Sequence, residues 1–149
     1  QRPADIPGHL AEMEQAARIL QQATPEGSSW WLVSGKASYE YGMICRYLVM
    51  PERSAGRVSD MLEFNPVDSL EERLLGGTLP ADLRATARRQ EVDYLLLWRV
   101  PADFVARYGK DLGLHEGEEF PLLLRLDAWR EGERELPEKI VLPVELGRQ

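Results

Sequence analysis

Nine consecutive residues, Val92-Asp93-Tyr94-Leu95-Leu96-Leu97-Trp98-Arg99-Val100, constrain the fold more than any other stretch, because seven of them are apolar or aromatic. The run is far shorter than the roughly 20 residues a helix needs to cross a bilayer. An arginine-bearing segment precedes it and Pro101 closes it. A continuous apolar run of this length between such borders predicts a strand buried on both faces, of the kind found in the middle of a parallel sheet. Both faces then need cover, and the flanking segments supply it. Residues 81–90 read as a helix with Leu83, Ala87 and Ala85 inward, and residues 101–109 as a second, opened by Pro101 and ended near Gly109 or Gly113.

The rest of the chain alternates in the same way. Residues 1–8 carry two prolines and a glycine and read as an arm or linker, and residues 9–149 as one α/β domain. A helix over 9–23 places Leu10, Met13, Ala16, Ala17 and Leu20 on one face, and Thr24-Pro25-Glu26-Gly27 ends it. Trp30-Trp31-Leu32-Val33 is a short strand. A helix follows over 39–49, stopped by Pro51, then a weaker strand over 57–64 and a short helix over 69–75 broken by Gly76-Gly77. Pro80 suits the first turn of the next helix, with Thr78 or Leu79 as its cap and Asp82 near the positive end of the dipole. Strands over 120–129 and 136–146, turned at Glu131-Gly132-Glu133, form an antiparallel hairpin that Pro137 and Pro143 push to a sheet edge. The order predicts an α/β fold: a small three-layer sheet, mainly parallel, with right-handed crossovers and a C-terminal antiparallel hairpin at one edge.

At 149 residues, with 44% hydrophobic and 29% charged residues, the chain suits one compact domain that buries about 70% of its unfolded surface. The net charge of −7 argues against a general nucleic-acid partner, which needs a basic face. It does not exclude a local basic patch, and Arg84, Arg88 and Arg89, at helical spacing i, i+4, i+5, form a candidate. Such a cluster is ordinarily a solvated helix face; its sharper reading is contact with a phosphate or lipid headgroup. The single cysteine, Cys45, excludes an internal disulfide and reads as a buried, inert thiol. A start at Gln1 with no initiator Met reads as a piece of a larger protein, or as a chain trimmed at both ends.

Four further groups of residues carry chemistry or contact. Ser34-Gly35-Lys36-Ala37-Ser38 follows a strand and opens a helix, where free N–H groups attract an anion and Lys36 and Ser38 add donors. No glycine precedes Gly35 at Walker spacing, so an ordinary strand-to-helix turn competes with a ligand site at Ser34, Gly35, Lys36 and Ser38. Trp30 and Trp31 point to opposite faces of their strand; core packing is the plain reading, and one of them, Trp30, is a candidate surface contact beside Arg84 and Arg88. His9 and His115 have no metal-ligand spacing, so neither a metal nor a cofactor is expected. Asp93 and Asp60 sit toward strand ends, where solvated or salt-bridged carboxylates are the ordinary outcome.

Three stretches carry a resemblance in layout. A helix ends in Thr24-Pro25 before a short strand; an aromatic-bearing helix leaves through Arg46-Tyr47-Leu48-Val49-Met50-Pro51; and a later helix delivers Asp93-Tyr94-Leu95-Leu96-Leu97. In this the chain resembles the C-terminal extracytoplasmic α/β domains of polytopic membrane glycosyltransferases that use lipid-linked sugars, over about residues 11–126. The resemblance implies a non-catalytic domain on the periplasmic face of a bacterial inner membrane, serving acceptor recognition, partner contact or support. Its partner would be the membrane portion of the same polypeptide or a membrane protein, and its ligand a sugar or an anion. In that class the catalytic acid lies between membrane helices, so no catalytic residue carries over. Two other functions stay open: a free-standing, cytoplasmic α/β protein binding a phosphorylated ligand at 34–38, and an interaction module that pairs through a sheet edge or aromatic patch.

Overall fold

A computed structural model of the chain describes residues 5–34 and 81–142. The helices expected over 39–49 and 69–75 and the strand over 57–64 lie outside the described residues, as do Arg46 to Pro51 of the resemblance.

Helix α1 spans Asp5–Ala23 and so takes in residues 5–8 of the stretch read as an arm. Pro7 is tolerated there because first-turn N–H groups lack an intrahelical acceptor in any case. The Thr24 hydroxyl donates to the Leu20 carbonyl, and a turn with Gly27 at φ 85° leads into β1, Trp30–Ser34. Later in the chain come α2 (Leu83–Gln90), β2 (Tyr94–Arg99), α3 (Ala102–Leu112), β3 (Leu122–Arg125), a short α4 (Asp127–Arg130) and β4 (Glu138–Ile140).

The four strands are ordered β1-β2-β3-β4. β2 therefore lies inside the described sheet, as its apolar run predicts, with Leu95, Leu96 and Leu97 fully buried. Its neighbours differ in direction. β1 runs parallel to it, with Trp30 opposite Tyr94, whereas β3 runs antiparallel, with Leu97 opposite Leu122 and Tyr94 opposite Arg125. β4 is antiparallel to β3. The described sheet is thus mixed, not mainly parallel. The cause is the return path: α3 and the loop 113–121 leave the C-terminal end of β2 and come back to that same end, so β3 can only run the other way.

The hairpin at the edge is present in modified form. β3 stops at Arg125, and Trp129 belongs to α4 instead of the strand expected through 129. β4 is confined to three residues behind Pro137. Strand alternation sorts the core into two clusters. Trp30, Leu32, Tyr94, Leu96, Trp98 and Leu123 pack with Ala16, Ala17, Ile19 and Leu20 of α1. Trp31, Val33, Leu95, Leu97 and Leu124 pack with Leu83 and Ala87 of α2, Phe104, Tyr108 and Leu112 of α3, and Trp129 of α4. Burying each large side chain contributes about 1.5–3 kcal/mol.

Candidate functional site

The most distinctive charged surface lies between α2 and α4. α2 starts at Leu83 because Asp82 caps it: in extended conformation (φ −123°, ψ 96°), its carboxylate accepts the Ala85 N–H at 3.0 Å. The helix therefore begins later than expected from Pro80, with Asp82 in the cap position assigned from sequence to Thr78 or Leu79. Leu83, Thr86 and Ala87 face the core, while Ala85, expected inward, is exposed. The polar face of α2 then presents Arg84, Arg88 and Arg89. The last two favour the negative end of the helix dipole, but Arg84 and Arg88 at i, i+4 repel each other by a few tenths of a kcal/mol. An anion bound between them would relieve that repulsion.

α4 supplies the opposite wall. Leu126 N–H donates to the Asp93 carbonyl at 2.7 Å, which ties the start of α4 to β2 and buries Trp129 against the sheet. The Arg84 guanidinium lies 5.1 Å from the Trp129 ring centroid and donates to the Glu135 carbonyl at 2.8 Å. Arg130 extends its Nη1 to Asp93 Oδ1 at 2.9 Å. Glu131, just past the helix, places one oxygen 3.4 Å from Arg88 Nε and the other 3.4 Å from Arg130 Nε. The second contact is a charge contact only, because the buried Arg130 Nε has no hydrogen-bond partner.

The result is an open cleft of about 510 Å³ lined by Asp82, Arg84, Arg88, Arg89, Arg130 and Glu131. Four guanidinium groups face two carboxylates, an excess of two positive charges on a chain of net charge −7. The Arg89 guanidinium makes no hydrogen bond or ion pair among the described residues. A smaller depression of about 410 Å³, which shares Arg130 and Glu131 with the first, has the opposite balance, with Arg125, Arg130 and Arg134 against Asp127, Glu131, Glu133 and Glu138. Arg125 is also paired there with Asp127 at 3.1 Å. Of these two clefts among the described residues, the first is the one electrostatically arranged to take an anion.

The structure treats the sequence candidates unequally. Arg84 and Arg88 line the cleft together. Trp30 is 1% exposed beneath α1 and is no surface contact; Trp31 is buried on the opposite face, so helices cover both indoles. Ser34 ends β1 with Arg99 as its register partner, and His9 lies in α1, while Gly35, Lys36 and Ser38 lie outside the described residues, as do Asp60 and Cys45. Asp93 is a paired carboxylate, and His115 is an exposed side chain whose Nε2 lies 3.1 Å from Glu118. No three metal-ligating groups gather among the described residues, and no helix there is long and apolar enough to cross a membrane. Sequence reasoning missed Arg130, which falls between the strand expected over 120–129 and the turn, and Glu131, which reads as the first residue of that turn. The available signal was Asp127 followed by three helix-compatible residues, too short a pattern to detect. No family model, curated protein or solved structure matches the chain.

Proposed function

We propose that this chain is a non-catalytic recognition domain of a larger protein and that the cleft between α2 and α4 receives an anionic group of its ligand. One observation carries the reading: Arg84 and Arg89 face this open cleft, and neither has a carboxylate partner among the described residues. The domain around it is proposed to be three-layered, with α1 on one face of the sheet and α2 and α3 on the other. The proposed setting follows the layout resemblance, an extracytoplasmic domain of a bacterial membrane glycosyltransferase acting on lipid-linked sugars. There a phosphate of the lipid-linked substrate is a ligand of the right charge, and the membrane portion of the polypeptide is the partner.

Calorimetric titration with inorganic pyrophosphate tests the cleft. Saturable binding is expected, weakening about tenfold or more in an Arg84→Gln, Arg89→Gln double variant, since a hydrogen bond to a charged group contributes about 1.5–3 kcal/mol. Absence of binding, or equal affinity of the double variant, rejects it. The setting has its own test in the full-length polypeptide: apolar segments of about 20 residues upstream support it, and a reading frame that opens at Gln1 rejects it.

A second reading has one observation in its favour. The register sets Ser34 opposite Arg99 at the C-terminal ends of the parallel pair, the end at which open α/β sheets bind ligands. If the turn 34–38 is the phosphate site, Lys36→Ala with Ser38→Ala abolishes pyrophosphate binding and the arginine variants do not.

A further inference from the structure

We infer that Glu131 is an internal occupant of the arginine cleft, a carboxylate latch that a phosphate-bearing ligand displaces; the inference rests on the reading of that cleft as an anion site. Among the described residues, Glu131 is the one carboxylate that reaches across the cleft, from the end of α4 to α2. Its two oxygens bridge Arg88 Nε and Arg130 Nε, each at 3.4 Å. Charge-assisted N–H···O bonds close to about 2.7–2.9 Å, so both contacts are loose. Asp93 holds the other end of Arg130 at 2.9 Å and fixes the guanidinium in place. The clamp therefore needs no help from Glu131 to stay positioned.

The unsatisfied donor points the same way. Arg130 Nε is buried and makes no hydrogen bond, although Glu131 stands beside it. A buried unpaired donor of a charged group is costly, because its desolvation is not offset by a hydrogen bond. Glu131 neutralises the charge without completing the bond, and its side chain is 40% exposed, free to swing toward solvent. A phosphate has three terminal oxygens and takes the place of both carboxylate oxygens at once. It can complete the Arg130 Nε bond, contact Arg88, and leave an oxygen for Arg84 or Arg89. A ligand with a single carboxylate gains little over Glu131 itself, so the latch selects for phosphate against simple carboxylic acids.

The test compares wild type, Glu131→Gln and Glu133→Gln by titration with inorganic pyrophosphate, with acetate, and with phosphatidylcholine vesicles containing phosphatidic acid. Glu133 lines the other depression, so its variant removes the same charge without touching the latch. Removal of two loose ion pairs should tighten pyrophosphate binding by about three- to tenfold in Glu131→Gln. Glu133→Gln should change it by less than about twofold, the effect of a screened, more distant charge. Acetate should bind measurably only to Glu131→Gln. Tightening on vesicles as well as pyrophosphate assigns the phosphate to a lipid headgroup, and tightening on pyrophosphate alone to a soluble ligand. Equal effects of the two variants, or none from Glu131→Gln while wild type binds, overturns the latch and leaves the cleft standing. Absence of pyrophosphate binding by wild type and Glu131→Gln alike overturns both.

Discussion

Asp93 joins three parts of the chain that are far apart in sequence. Its carboxylate accepts the Ser29 N–H at 3.1 Å and the Arg130 guanidinium at 2.9 Å, its own N–H donates to Ser29, and its carbonyl accepts Leu126 N–H at 2.7 Å. The Ser29 hydroxyl donates onward to the Glu91 carbonyl at 2.6 Å. Through its backbone and its carboxylate together this one residue aligns the entry to β1, the entry to β2 and the exit from β3, and the carboxylate also holds one clamp of the cleft. Removal leaves Ser29 N–H, in a residue 2% exposed, without that acceptor and leaves Arg130 without its close carboxylate. Asp93→Ala is expected to cost about 2–4 kcal/mol in urea unfolding, the range for orphaning a buried donor together with a partly buried charge. A loss below about 0.5 kcal/mol, typical of a surface substitution, would show that the carboxylate is merely solvated.

At the scale of elements, the loop after α3 is fastened to β4 through Glu118. Lys139 Nζ donates to the Glu118 carboxylate at 3.0 Å and His115 N–H at 3.2 Å. Burial pushes this carboxyl up, but the Lys139 and His115 hydrogen bonds and the charges of both residues outweigh burial and hold it below its ordinary value. A carboxyl held lower in the folded chain than in the unfolded one adds stability above the unfolded value, and that stability is lost as the pH falls through the folded value. Lys139→Ala is therefore expected to flatten the fall of the urea midpoint between about pH 5 and pH 3. An unchanged slope would show that the charge contact does not fasten β4. The same elements mark what sequence could reveal. α1, β1, α2, β2 and α3 depend on local periodicity, caps and prolines, so Trp30–Ser34, Tyr94–Arg99 and the exit at Gly113 were legible. The direction of β3 and the existence of α4 were not, because both follow from where the loop 113–121 returns and from the Leu126 bond to Asp93, contacts between distant residues. For the same reason half of the cleft was readable. Arg84, Arg88 and Arg89 show as a helical cluster, whereas Arg130 and Glu131 meet them only through tertiary packing.

Across the whole molecule, the described sheet is the layer that two separate cores share. Leu96 belongs to the core under α1 and Leu95 to the core under α2 and α3, although the two residues are adjacent and both fully buried. A cavity on either side should therefore weaken the same strand. Leu95→Ala and Leu96→Ala are each expected to cost about 2–5 kcal/mol, which is a large part of the 5–15 kcal/mol typical of a domain. Trp30 and Trp98 report on the Leu96 core, and Trp31 and Trp129 on the Leu95 core, so tryptophan fluorescence samples both while far-UV circular dichroism follows the backbone. If the sheet couples the cores, each variant shows one urea transition, coincident by the two probes and displaced to lower concentration. A Leu96→Ala variant whose fluorescence transition splits from its dichroism transition would mean that α1 leaves the sheet independently. The anion cleft, built entirely on the α2 and α4 side, would then keep its pyrophosphate affinity after α1 has come away. Coincident transitions instead predict that affinity is lost in the same urea range as the helical signal, because the Asp93 bond that positions Arg130 starts from the residue directly before the strand both cores hold in place.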